Sequence, residues 1–239
     1  MLDFVRNGFL SSLSPPDRKL LEPHTTAITL GHGKQLQEQQ ERIYHVYFPL
    51  EGIISLLAVM KNGAAVESTM LGASGASGIA VGLGRPLATS RAVVQAPGMA
   101  LRIPAAQFLK AARQSATLTA RIAMHQETVL AQIQQTAACN AVHTADQRLS
   151  RWLLQAQDHI ANGEIIPFTH EFLSSILGVR RSTVTLIAAS LQRAGSIRYT
   201  RGRIQLLNRP ALKRTACECY EVIRDLDTEH STAAKARRN

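Results

Sequence analysis

The chain has 239 residues, 45% of them hydrophobic, and 27 Lys and Arg outnumber 17 Asp and Glu to give a formal net charge of +10. That length accommodates one large domain or two modest ones with real cores, and the ordinary apolar content excludes disorder over most of the chain. The longest apolar run, around Ile53–Met60, is too short to cross a membrane, and Asp3 interrupts the apolar start "MLDFVRNGFL", so no signal peptide and a cytoplasmic location are expected.

From about Leu20 to Ile103 short apolar runs alternate with turn signals, the texture of β-structure. Asn62-Gly63 lies between two such runs and predicts a hairpin, because both residues tolerate positive φ. The glycine-rich stretch "GASGASGIAVGLGRP" predicts a loop with one helical turn, and "SRAVVQAPGMALRIP" resumes the strands. Many short strands at close spacing predict a small antiparallel barrel or roll over residues 1–104.

The texture changes at Pro104, and from Ala105 to about Ala138 there is no glycine or proline. Leu118, Ile122, His125, Val129, Gln132 and Thr136 follow one another at alternating spacings of four and three, a heptad seam that turns polar in its lower half; Leu130 and Ile133 widen it. One long helix over residues 105–139 is expected to pair with its twin in a homodimer through Leu118, Ile122, His125, Val129 and Ile133. His125 in such a seam is expected to be packed or hydrogen-bonded, not a ligand.

A second helix is expected from about Ala145 to Ala161, with Leu149, Trp152, Leu153, Ala156 and Ile160 on one face, followed by a turn at Asn162-Gly163. Thr169 can cap the next helix, Glu171 to Leu177. Gly178 supplies the turn, and a further helix carries Val184, Ile187, Ala188 and Leu191 on one face with Ser182, Leu186, Ala189 and Arg193 opposite. That is the layout of a helix-turn-helix, whose second helix offers its N-terminal turn to the DNA major groove. "SIRYTRGRIQLL" then reads as two short strands around Arg201-Gly202, a β-wing. A last helical stretch follows Ala211, and residues 225–239 read as a basic tail. The winged helix-turn-helix unit is assigned to residues 140–224.

Charge placement agrees. Between Pro167 and Arg214 nine Lys and Arg meet one acid, +8 in 48 residues, whereas residues 1–139 carry twelve basic and eight acidic side chains, only +4. A basic block inside a folded pattern implies a polyanion partner, here double-stranded DNA. The candidate contacts are Thr169, Arg180, Arg181, Ser182, Thr183, Thr185, Leu186 and Arg193, with the wing arginines Arg198, Arg201 and Arg203. Arginine suits a guanine edge, and Leu186 can touch a thymine methyl.

The three cysteines, Cys139, Cys217 and Cys219, form no disulfide framework; only Glu218 separates the last two, and no histidine lies near them in sequence. They are expected to be structural thiols, and no metal or cofactor is expected. No nucleophile elbow, P-loop or dinucleotide fingerprint occurs. A cupin-like metal enzyme would need a histidine and carboxylate cluster, but His24, His32, Glu38, His45 and Glu67 are scattered. The chain is not expected to be an enzyme.

The order of these parts, and above all "LGVRRSTVTLIAASLQRAGSIRYTRGRI", resembles the Crp/Fnr family of bacterial transcription regulators. The resemblance covers nearly the whole chain. It implies an α+β fold with a cyclic-nucleotide-binding-like β-roll, a long dimerisation helix and a C-terminal winged helix-turn-helix, and RNA polymerase as a partner. By the same resemblance Arg181 stands at a base-reading arginine, Ser182 where glutamate is frequent, and Leu186 where a second base-reading arginine is usual. The effector cassette falls on Ile79, Ala80, Val81, Arg85, Ser90 and Arg91. It departs from the family: Ala80 replaces the glutamate that takes the ribose, and Ser90-Arg91 inverts the arginine-serine pair that takes the phosphate. Cyclic AMP is not expected to bind tightly, and the effector is left open. The roll could equally be a scaffold in a constitutive, non-sensing DNA-binding protein. An iron–sulfur sensor would need about four grouped cysteines, and nothing singles out His24, His32 or His45 as haem ligands.

Overall fold

The computed structural model describes residues 3–160, 168–200 and 202–236. Two short helices that the sequence pattern does not announce open the chain, α1 (Gly8–Ser11) and α2 (Pro15–Leu21). Their start signals are orthodox: the Asn7 side chain accepts the Leu10 amide, the Ser14 side chain accepts the Asp17 amide, and prolines occupy the first turn of α2. Buried Asn7 also donates to the carbonyls of Pro49 at 2.8 Å and Gly75 at 2.9 Å, which fixes α1 to the sheet structure that follows.

That structure is the expected roll. Strands β1 (Thr26–Leu30), β7 (Gly98–Pro104) and β3 (His45–Pro49) form one antiparallel sheet in the order β1-β7-β3. Strands β2 (Gln35–Gln37), β6 (Arg91–Ala96), β4 (Ile53–Val59) and β5 (Ala65–Leu71) form the other, in the order β2-β6-β4-β5. The hairpin between β4 and β5 turns at Asn62-Gly63, with Gly63 at φ 85° and the Asn62 side chain accepting the Ala64 amide at 3.1 Å. The glycine-rich stretch contains one 3-10 turn, Ile79–Leu83. Leu30, Tyr47 and Ala100 of the first sheet pack on Ile54, Leu56, Leu71, Ala92 and Val94 of the second.

The predicted single helix over 105–139 is two helices, α3 (Ala105–Gln114) and α4 (Ala116–Val142). Ser115 breaks it: its backbone is extended, its hydroxyl caps α4 through the Leu118 amide, and it donates to Asp17 of α2. The heptad seam also faces a different partner from the one expected. Leu118, Ile122, His125, Val129, Gln132 and Thr136 are all buried within their own chain. Leu118 and Ile122 join the core under α1 and α3, while Val129, with partly buried Ile133, packs on the interior of the roll. The His125 ring meets the Ala76 backbone at 3.2 Å and the edge of Phe9. The polar lower half has its own partners: Gln132 accepts from Thr69 at 3.0 Å and donates to Asp227 at 2.7 Å. The residues assigned to the dimer contact are therefore core residues; apolar periodicity marks a buried face without saying which surface buries it.

The C-terminal unit comprises α5 (Ala145–His159), α6 (His170–Leu177), α7 (Arg181–Arg193), the hairpin β8 (Ile197–Thr200) and β9 (Arg203–Leu206), α8 (Arg209–Thr215) and α9 (Cys219–Ala236). A capping box at Thr144 and Gln147 starts α5. Trp152 on α5 stacks edge-on against Phe168 at 4.7 Å and anchors a core that includes Leu153, Leu173, Val184, Leu191, Ile197, Ile204 and Leu212. Where a basic tail was read from residue 225, α9 continues to Ala236 and packs against α4, α1 and α5.

The two units share a core, for Ile53, Met70 and Ala96 of the roll pack in the Trp152 cluster. The Trp152 indole donates to the Glu67 carboxylate at 2.6 Å, and Ser55 donates to its other oxygen. Gly72 lets the His159 ring lie on the β5 end, since a Cβ there would meet that ring at 2.1 Å.

Burial pushes the Glu67 carboxyl above its ordinary range, against the opposing pull of Ser55, Trp152 and the Arg151 charge. The folded chain thus keeps a proton that the unfolded chain releases above about pH 4.5. The stability this lends is full below the unfolded pKa and is lost as pH rises through the raised folded value. Glu67→Gln is expected to gain stability relative to the parent as pH rises from that point. Urea denaturation of both proteins across pH 4 to 8 checks it; parallel curves would contradict the protonated Glu67.

Candidate DNA-binding site

The site is built on α6, α7 and the β8–β9 hairpin. Thr169 caps α6, accepting the Phe172 amide at 3.2 Å. Gly178 ends α6 in the left-handed region, at φ 63° and ψ 35°, where a side chain costs roughly 1–2 kcal/mol. The chain then turns by 109° into α7, within the range of helix-turn-helix motifs. Val184, Ala188 and Leu191 bury one face of α7, and Arg181, Ser182, Thr185, Leu186 and Arg193 are exposed on the other. Leu186 is 72% exposed in the middle of that face. No side chain caps α7 at Arg180, so the positive end of the helix and its first amides are open to an anion.

The arginines do not contribute equally. Arg181 faces Glu171 loosely, with Nε 4.0 Å from the carboxylate and both side chains exposed. Arg180, Arg193, Arg198 and Arg203 are exposed, whereas Thr183 is half-buried; Arg201 lies outside the described residues. Arg209 is bound to Asp158 at 2.6 Å and also to Gln157 and Tyr220, and Lys213 pairs with Glu221 at 2.6 Å. Two of the nine cations counted along the sequence therefore have partners inside the unit.

Three residues that sequence reasoning passed over hold the wing to the reading helix. The Tyr199 amide donates to Gln192 Oε1 at 2.8 Å, and the Tyr199 ring stacks on His170 at 4.2 Å. His170 Nδ1 meets the Thr185 hydroxyl at 2.9 Å, and that hydroxyl donates to the Arg181 carbonyl at 3.1 Å. Burial, followed by the Arg181 charge, holds the His170 pKa below its ordinary value. Two of the candidate contacts, Thr169 and Thr185, thus already hold local hydrogen bonds. The signal for His170 and Tyr199 is absent from the sequence pattern, because their contact joins α6 to the wing across 29 residues.

The predicted effector residues do not converge. Ile79 and Val81 are buried in the core, Ala80 lies in the 3-10 turn, Arg85 is exposed, and Ser90 accepts from Gln37 through its carbonyl at 3.1 Å. Arg91 binds Glu38 bidentately, Nε to the two oxygens at 3.1 and 2.9 Å and Nη2 to one at 2.8 Å. This contact depresses the Glu38 pKa. An open groove of about 560 Å³ lies elsewhere, between the roll and α3, lined in part by Arg42, Tyr44, Lys110 and Arg113; of the six effector residues it includes only Val81. His24, His32, Glu38, His45 and Glu67 do not gather into a metal-binding set among the described residues. The three cysteines do come together with His143, although sequence spacing left them apart.

Residues 147–215 match the Crp-like helix-turn-helix domain family. Among solved structures, FixK2 from Bradyrhizobium japonicum is 16% identical with a TM-score of 0.66, covering 81% of this chain and 98% of its own. A Crp/Fnr-family transcriptional regulator from Thermus thermophilus is 23% identical with a TM-score of 0.64, over 80% of this chain and 98% of its own. The cyclic di-GMP-responsive global regulator CLP from Xanthomonas campestris is 12% identical with a TM-score of 0.63, over 81% and 99%. No curated protein matches. No single helix among the described residues is long and apolar enough to cross a membrane. Residues 147–215 belong to the Crp-like helix-turn-helix domain family, and the chain as a whole carries the fold of the Crp/Fnr transcription regulators.

Proposed function

We propose that the chain is a homodimeric, sequence-specific DNA-binding regulator of transcription acting in the cytoplasm, with RNA polymerase as the partner that family membership implies. The observation that carries this reading is the outer face of α7, where exposed Arg181, Ser182, Leu186 and Arg193 follow an uncapped helix N-terminus beside the wing. Arg181 reads a guanine and Leu186 packs on a thymine methyl. Arg180, Arg198, Arg201 and Arg203 meet phosphates, which fix register without reading sequence.

The dimer uses the outward face of α4. Ala116, Ala120, Ala123, Glu127, Leu130, Gln134 and Ala137 are all exposed and follow one another at spacings of four and three. This second seam lies opposite the buried one, and its alanines let two helices approach closely. Paired α4 helices would set two α7 helices about one DNA turn apart on a near-palindromic site.

Cyclic AMP is not the effector in this reading. The Arg91 guanidinium that a phosphate would need is held by Glu38, and side chains from both sheets fill the roll interior. The same two features favour, as a second reading, a protein that binds DNA without any small effector.

Selection from a random DNA pool, with and without cyclic AMP, tests the whole proposal: one two-fold symmetric motif, unchanged by the nucleotide, is expected. Arg181→Ala is expected to cost about 1–3 kcal/mol on that motif and to relax one position, whereas Arg203→Ala weakens all sequences alike and lowers the salt slope by about one. Leu186→Ala should change folding stability by less than about 0.5 kcal/mol, because the side chain is exposed, while reducing discrimination at one A·T pair; fluorescence anisotropy on matched and mutated sites measures both. Leu130→Lys should yield a folded monomer by sedimentation velocity, and calorimetry with cyclic AMP should register no heat of binding.

A further inference from the structure

The C-terminal end of α4 meets the link between α8 and α9 at a cluster that the DNA-binding reading does not use. Cys139 and His143 stand one helical turn apart on α4, and Cys217 and Cys219 flank Glu218 at the start of α9. All three cysteines are buried, with relative exposures of 0%, 4% and 1%. Their sulfurs and one His143 ring nitrogen lie within 4.8 Å of one another. Cys139 and Cys217 sulfurs are 3.5 Å apart, too far for a disulfide, and Cys219 Sγ is 3.7 Å from His143 Nδ1.

We propose that Cys139, His143, Cys217 and Cys219 bind one zinc ion as a closed, tetrahedral structural site. A zinc ion with sulfur ligands at about 2.3 Å has tetrahedral edges of about 3.8 Å, so the two measured edges need only tenths of an ångström of adjustment. Four protein ligands leave no position for water or substrate, which makes the site structural. The surroundings are those of a ligand set. His143 turns its Nε2 to the Glu218 carboxylate at 3.2 Å, leaving Nδ1 toward the sulfurs. Such a carboxylate partner fixes the ring and raises its basicity. Gln135 donates to Cys219 Sγ at 3.0 Å. Three thiolates, a neutral imidazole and a divalent cation sum to one negative charge. Two buried guanidiniums, Arg148 and Arg151, lie within electrostatic reach of Cys139 to balance it. The Nε atoms of both lack a hydrogen-bond partner among the described residues.

The ion would join the dimer-side helix α4 to the chain immediately after the winged helix, two residues beyond the matched domain that ends at residue 215. It would hold that unit at one angle to α4. This inference does not depend on DNA binding, and its test reads the metal directly.

Full-length protein purified under reducing, chelator-free conditions is analysed for zinc by mass spectrometry, then stripped and titrated with Co²⁺. One zinc per chain is expected, with cobalt giving the visible bands of a tetrahedral ion and thiolate charge-transfer absorption in the near ultraviolet. Glu218→Gln, which alters no ligand and is exposed, is expected to weaken cobalt affinity by about 10- to 100-fold, and Cys217→Ser to abolish the tetrahedral spectrum. Should Cys217→Ser fail to fold, the stoichiometry and spectrum of the parent protein and the Glu218→Gln affinity decide the matter. Absence of zinc together with no tetrahedral cobalt spectrum would overturn the proposal. So would a Cys139–Cys217 disulfide in the reduced-purified protein, seen as a 2 Da mass deficit, which would make the cluster a thiol pair.

Discussion

Helix α4 buries one long face against the roll of its own chain, from Leu118 at one end to Cys139 at the other, and everything C-terminal to it takes its place from that contact. A helix can bury a given face once. With Leu118, Ile122, His125 and Val129 committed inside the chain, only the opposite face, with Ala123 and Leu130, is left for a second copy. The same burial explains why a helix carries Gln132 and Thr136 in its apolar stripe. There the roll and α9 supply Thr69 and Asp227 as partners, so the polar groups leave water without losing hydrogen bonds.

The winged helix does not hang from α4 on a bare linker. Glu67, reaching from β5, accepts from Ser55 of the roll and from Trp152 of the C-terminal unit. A second polar group, Asp227 on α9, is shared among Gln132, Ser74 and His159. Burial raises the pKa of both carboxyls, with the His159 charge opposing it at Asp227. Two buried acids at one seam make the joint between the units costlier to form when both are ionised. The hold between roll and DNA-binding unit is thus the part of the fold most exposed to protonation.

Much of this was legible in the sequence because it is local. The Asn62-Gly63 hairpin, the Gly178 turn between α6 and α7, the Arg201-Gly202 wing and the exposure of Leu186 each follow from a few neighbouring residues. What was not legible depends on distant pairings. The buried seam of α4 was read as a dimer contact, since periodicity reports a buried face and not its partner. Arg91 looked like a displaced phosphate ligand until Glu38, 53 residues away, was seen to hold it. The four-residue cluster is the extreme case: Cys139 and His143 are separated by more than 70 residues from Cys217 and Cys219. Assigning residues 105–139 and 140–224 to different units even cut between Cys139 and His143.

Leu186 gives the proposed reading face an unusual physical balance. Contacts from arginine to phosphate release counterions and weaken as salt is added, while packing of a leucine on a methyl group involves no ion. If Leu186 stands where a charged reader would otherwise stand, part of the recognition lies outside the ionic atmosphere of the DNA. As ionic strength rises, binding to every sequence falls, but the ratio between right and wrong sites falls less. Such a protein would tell its sites apart best under the conditions in which it holds them least tightly, and its occupancy of a genome would sharpen, not merely shrink, in a salty cell.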